Sequence, residues 1–166
     1  MPARLDLEPY GRVALAEFTV EDGDSGMSRL ATARFAEQLL ASQGIELLEL
    51  PASDTSLSAL GDRDVPAVFL GRLRLGSVRP RGQVGGGAMN LRGTVRAELD
   101  VRLVSTRTGG TLWRSSSTTD ATLGGVRVGR GLPSVAVRDR EEAYGEMLAA
   151  LVTDVTRDLR PTWVRQ

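Results

Sequence analysis

Hydrophobic and polar positions follow two regimes along this chain. The run RVALAEF (Arg12–Phe18) is almost continuously apolar, the pattern of a central strand covered on both faces. TVRAELDVRLVS alternates strictly instead. Val95, Ala97, Leu99, Val101 and Leu103 face one way; Arg96, Glu98, Asp100 and Arg102 face the other. That period of two predicts an antiparallel strand with one buried and one wet face. TRTGGT then turns the chain, and TLWRSSSTT returns as the second arm of a hairpin.

Between these stretches the period lengthens. In GMSRLATARFAEQLLASQG, Met27, Ala31, Phe35 and Leu39 recur every four residues, which predicts a helix capped by Asp24 or Ser25 and stopped at Gly44. IELLEL (Ile45–Leu50) predicts a short strand, and Leu57 and Leu60 a short helix. A third strand is expected from Ala67 to Val78, with Phe69, Leu73 and Leu75 on one face and Arg72 and Arg74 on the other. A last helix from about Asp139 to Leu159 carries the stripe Tyr144, Met147, Leu148, Leu151, Val152, Val155 and Leu159, and Pro161 ends it. Two glycine-rich stretches, about 79–93 and 118–137, show neither period and are read as mobile loops. The order is β-α-β-(α)-β-β-β-α, an α/β (α+β) fold with one mixed sheet and helices mainly on one face. Residues 1–166 are read as a single domain with its core at about 12–160.

Composition closes many chemistries. The chain has no cysteine and no histidine, and every basic side chain is arginine. Thiolate metal sites, Ser-His-Asp and Cys-His nucleophile pairs, lysine Schiff bases and Walker-type phosphate loops are all excluded. No run approaches the ~20 apolar residues of a membrane helix. MPARLDLEPYG is too polar for a signal peptide. The chain is therefore either cytoplasmic or trimmed of its targeting segment, and its composition leaves both open.

Charge is balanced overall but unevenly spread. Residues 1–70 hold five arginines and twelve acids, a net −7; residues 71–138 hold twelve arginines and three acids, a net +9. Residues 139–166 carry −2. The basic segment is able to meet an anion such as nucleic acid or lipopolysaccharide phosphate, through Arg79, Arg81, Arg92, Arg127 and Arg130. The preferred reading is that it pairs with the acidic first third, within one molecule or between copies. Nucleic acid is the less expected partner, since single-strand binders interleave stacking aromatics and this segment offers only Trp113.

Other candidate sites are weaker. Asp22 and Asp24 in EDGDS have the oxygen chemistry to hold a hard cation, but no further acids join them, and a solvated helix cap explains them. GQVGGGAMN leads into a strand, whereas a phosphate cradle needs a helix N-terminus. No catalytic, cofactor or metal site is assigned. The charged strand face of Arg96, Glu98, Asp100 and Arg102 is a candidate docking surface, and Trp163, on a short tail past the last helix, a candidate partner contact. Trp113 is expected to pack over the sheet.

Taken in order, RVALAEF, LATARFAEQLLASQG, IELLEL, SALGDRDVPAVFLGRL and ELDVRLVSTRTGGTLWRSS, with the long last helix, resemble one family. It is the curli-secretion lipoprotein family, with the lipoprotein activators of penicillin-binding proteins and the amino-terminal domain of the Tol-system propeller protein. The resemblance spans about Arg12 to Leu159. It implies a non-enzymatic periplasmic or outer-membrane-associated domain that acts by protein-protein contact as an assembly, secretion or cell-wall-synthase accessory. Its implied partner is another envelope protein or a further copy of itself. A lipid anchor would lie upstream of this chain, which has no cysteine to carry one. The two glycine-rich stretches lack the ~10-residue alternating strands and aromatic girdles of a membrane barrel, so an accessory role is expected rather than a pore.

Overall fold

The two hydrophobic regimes become two halves of one sheet. The computed structural model describes residues 5–23, 25–54, 56–85, 88–128, 134–136 and 140–159. Its first half runs β1 (Arg12–Ala16), β2 (Thr19–Glu21), α1 (Ser25–Ser42), β3 (Glu46–Leu50), α2 (Leu57–Gly61) and β4 (Ala67–Leu75). The second runs β5 (Arg79–Gly85), β6 (Ala88–Ser105), β7 (Thr111–Val128), β8 (Ser134–Ala136) and α3 (Arg140–Val155). The mixed sheet has the order β3-β1-β4-β6-β7-β8. β2 pairs with β4 beyond the end of β1, and β5 pairs with β6 beyond the end of β4. β1 is parallel to β3 and β4; β4, β6 and β7 are successively antiparallel.

The fold class is as the patterns predict, and one expectation is corrected. The stretches 79–93 and 118–137, expected as loops, hold β5, the first part of β6, the second half of β7 and β8. Period counting misses them because strand pairing is a backbone property, and glycine carries no side chain to show a period. Gly93 sits opposite Gly124 and Arg92 opposite Gly125, where an added Cβ at Gly125 would meet the Leu91 carbonyl oxygen at 3.2 Å. Packing selects glycine there. The helices lie mainly on one face, as expected: α1 and α3 cover it, and the five-residue α2 covers part of the other with Ala14, Ala16, Leu50, Leu60, Val65, Val68 and Val104.

The larger core lies under α1 and α3. Val95, Ala97, Leu99, Val101 and Leu103, the predicted buried face, are all at most 2% exposed. Phe18, Phe35, Phe69 and Trp113 form a chain of edge-on or tilted ring contacts, with centroids 5.3, 5.2 and 6.0 Å apart. These contacts tie β7 to α1 across the sheet, a geometry rings favour. The chain makes room for Phe18 by a slip in register: Leu15 faces Phe69, yet Thr19 faces Arg72. Three residues thus stand against two, and the Phe18 ring turns inward over Gly71. The Phe18 backbone N–H donates to Thr32 Oγ1 at 2.9 Å, which holds this bend against α1. At the hairpin, Gly109 (φ +70°) takes the left-handed turn position, and its N–H donates to the Ser105 carbonyl at 2.9 Å.

Candidate interaction surface

Away from α1 and α3, the sheet turns a charged face outward. Strand alternation sets Arg72 and Arg74 of β4 beside Asp100 and Glu98 of β6, and Arg96 and Glu98 of β6 beside Asp120 and Thr118 of β7. Glu21 of β2 faces Arg74. Ion pairs lace these strands: Arg74–Glu21 at 2.9 Å, Arg74–Glu98 at 3.6 Å, Arg72–Glu21 at 3.6 Å, Arg96–Asp120 at 3.0 Å and Arg114–Asp100 at 2.6 Å. The hydrogen bond from Arg74, helped by the nearby charge of Arg72, holds the Glu21 carboxyl below its ordinary value. Asp120 is lowered in the same way by the hydrogen bond from Arg96, with the more distant fields of Arg81 and Arg79 adding to it. All these groups except the half-buried Asp100 lie largely open to water, so they shape the surface more than they stabilise the fold.

Four arginines of this face make no ion pair among the described residues: Arg79, Arg81, Arg92 and Arg102. Three are set against another arginine by the register itself. Arg81 lies directly opposite Arg92, and Arg102 directly opposite Arg114. Like charges so placed repel. A groove of about 390 Å³ runs past Arg74, Arg79, Arg81 and Arg96, with Asp22, Glu98 and Asp120 also lining it. A second, of about 440 Å³, is lined by Arg72, Asp100, Arg102 and Arg114.

The candidate residues therefore converge further than their sequence positions suggest. Arg96, Glu98, Asp100 and Arg102 share one face with Arg79, Arg81 and Arg92, joining two candidate sets into one surface. Arg127 lies opposite Asn90 in the ladder, while Arg130, Trp163 and Asp24 fall outside the described residues. Among the described residues no cluster of three or more acids has the grouping of a metal site.

Sequence reasoning missed Glu21, Arg114 and Asp120 as members of this face. For β7 the signal is hidden because serine and threonine occupy both faces. It missed also the state of the sheet's edges. β7 is bare on its outer side from Thr111 to Gly124 among the described residues, since β8 pairs only with Gly125, Val126 and Arg127. β3 is bare on the side away from β1 among the described residues.

No family model matches the chain, and no curated protein matches it. Solved structures do. PelC from Paraburkholderia phytofirmans, solved as a dodecamer, superposes with a TM-score of 0.58 at 15% identity, over 99% of this chain and 95% of that one. A neuraminyllactose-binding hemagglutinin homolog from Helicobacter pylori gives 0.58 at 10% identity, over 95% of this chain and 87% of that one. A fainter likeness, TM-score 0.47 at 15% identity over 89% and 99%, is to lipoprotein GNA1162 from Neisseria meningitidis. The first two share their fold with this chain. None of the three singles out the curli-secretion family.

Proposed function

We propose that this chain is a non-enzymatic accessory domain of the bacterial cell envelope, periplasmic and outer-membrane associated, that works by protein-protein contact. It joins copies of itself and docks another envelope protein during assembly, secretion or cell-wall synthesis. The observation that carries this reading is a fold shared over 99% of the chain with a protein solved as a twelve-membered assembly. The split between an acidic first third and a basic middle supports it, since head-to-tail contact between unlike surfaces builds rings or filaments. Light scattering at low and high salt tests it. Species larger than one copy that dissociate as salt rises are expected. A monomer at both salt concentrations across the micromolar range would contradict it.

The opposed arginines Arg81 and Arg92, beside Arg79, which has no ion pair among the described residues, favour a second reading: an anion site for phosphate groups, on lipopolysaccharide or nucleic acid. Titration with lipopolysaccharide and with a labelled oligonucleotide separates the sources. Affinity should fall steeply with salt and be lost in Arg81→Ser/Arg92→Ser. No binding of either at low salt would remove this reading.

A further inference from the structure

Proteins protect the edges of their sheets from pairing with strangers, by short strands, charges, prolines or bulges. Here β5 carries Arg79, Pro80 and Arg81, while β2 and β8 are three residues each. β7 is different. Between Arg114 and Asp120 lie five consecutive hydroxyl residues, Ser115 to Thr119, with no charge, proline or register shift. β3, at the far edge, is also five residues long. It presents half-buried Leu47 and Leu48 and exposed Glu46.

We infer that β3 of one copy adds to the Ser115–Thr119 edge of β7 in the next copy, so that the sheet runs on from molecule to molecule. This inference rests on the self-association proposed above and names its surfaces.

Direction and charge both suit the pairing. β3, β1, β4 and β7 all run the same way in the sheet. A head-to-tail rotation combined with a shift of about four residues along the strands preserves that direction, makes the new pair parallel and carries β3 from the level of Val104 toward Ser115–Thr119. Glu46 shares its face with Leu48 and Leu50, which pack with Val104 on the α2 side. Arg102 is two residues from Val104 on the same strand, and Arg114 lies opposite it, so both occupy that face. With that shift Glu46 of the incoming copy, which its own Arg12 holds at 2.9 Å, comes level with two arginines set against each other, of which Arg102 has no ion pair among the described residues. The carboxylate relieves the repulsion that the register imposes.

The cysteine-free sequence allows a clean test. Glu49→Cys is combined in turn with Ser115→Cys, Ser116→Cys, Ser117→Cys, Thr118→Cys and Thr119→Cys, and the full chain is mildly oxidised. Within one copy the two edges are four strand spacings apart, roughly 19 Å, too far for a disulfide to close. Every link is therefore between copies. Expected is a ladder of dimers, trimers and larger species on non-reducing gels. It should form at least about tenfold faster with one of the odd positions, which share the face of Glu49, than with Ser116→Cys or Thr118→Cys. Each single variant should stop at a dimer. A charge exchange reads the same contact: Glu46→Arg and Arg102→Glu each weaken assembly, and the two together restore it. If the unaltered protein scatters as an oligomer but no odd position yields the ladder, the edge pairing is wrong and self-association by another surface stands. If the unaltered protein is monomeric, both fall.

Discussion

Replacing Gly71 with alanine puts a methyl group where the ring of Phe18 already lies. The added Cβ would stand 2.5 Å from Phe18 Cε1 and 2.6 Å from Cγ, and Cδ1 would be nearer still. Ordinary contact begins near 3.4 Å, so the ring must move by about 1 Å in a part of the core where it is 1% exposed. Overpacking of this kind costs about 1–3 kcal/mol. Alanine regains about 0.5–1 kcal/mol over glycine in a strand through its smaller loss of backbone freedom. The net expectation is a destabilisation of about 1–2 kcal/mol, or a drop in Tm of about 2–8 °C for a chain of this length. Urea unfolding followed by far-UV circular dichroism at fixed protein concentration measures it. Repeating the change in a Phe18→Leu background isolates the cause: with the ring gone, Gly71→Ala should cost about 1 kcal/mol less. Equal cost in the two backgrounds, or a neutral Gly71→Ala, would refute the bend that seats Phe18 on Gly71.

Other outcomes follow from the hairpin and its charged face. Trp113→Ala should cost roughly 3 kcal/mol, the low end for a large aromatic because the side chain is half-buried, in the same urea assay. Gly109→Val should lose about 1–2 kcal/mol by forcing a β-branched residue into the left-handed region, while Gly109→Asn should lose less. Asp120 is held below its ordinary 3.8 in the folded chain, so the unfolded chain binds its proton first as pH falls. Its contribution is present above about pH 4 and disappears as pH drops through the lowered value. Asp120→Asn should therefore flatten the dependence of unfolding on pH on the acid side and leave it unchanged above pH 6.

Much of this architecture is legible in the sequence because it rests on burial. Val95 to Leu103 alternate since one face meets α1 and α3, and Val13 to Ala16 are continuously apolar since both faces are covered. The same logic makes Arg96, Glu98, Asp100 and Arg102 readable as a wet face. It fails where pairing is maintained by backbone alone: the glycines of β5 and the outer part of β6 and β7 bury nothing that a period can register. It fails again on β7, where Ser115, Ser117 and Thr119 lie toward α3, with Ser117 Oγ hydrogen-bonded to Asp154 at 3.2 Å, while Ser116 and Thr118 face water. Hydroxyl residues serve both sides. The clash of Arg81 with Arg92, and of Arg102 with Arg114, is a matter of register, which no single strand's sequence contains.

Amide hydrogen exchange, resolved residue by residue in the assembled protein, tests most directly the claim that this domain works through its sheet edges. In an antiparallel pair alternate amides point away from the partner strand. If β7 ends in water, those outward amides between Ser115 and Thr119 exchange quickly while their neighbours are protected by β6, and β3 shows the same alternation. Edge-to-edge pairing gives instead an unbroken run of slow amides across Ser115–Thr119, matched by a run across Glu46–Leu50. Fast outward amides on both strands in a protein that scatters as an oligomer would contradict it.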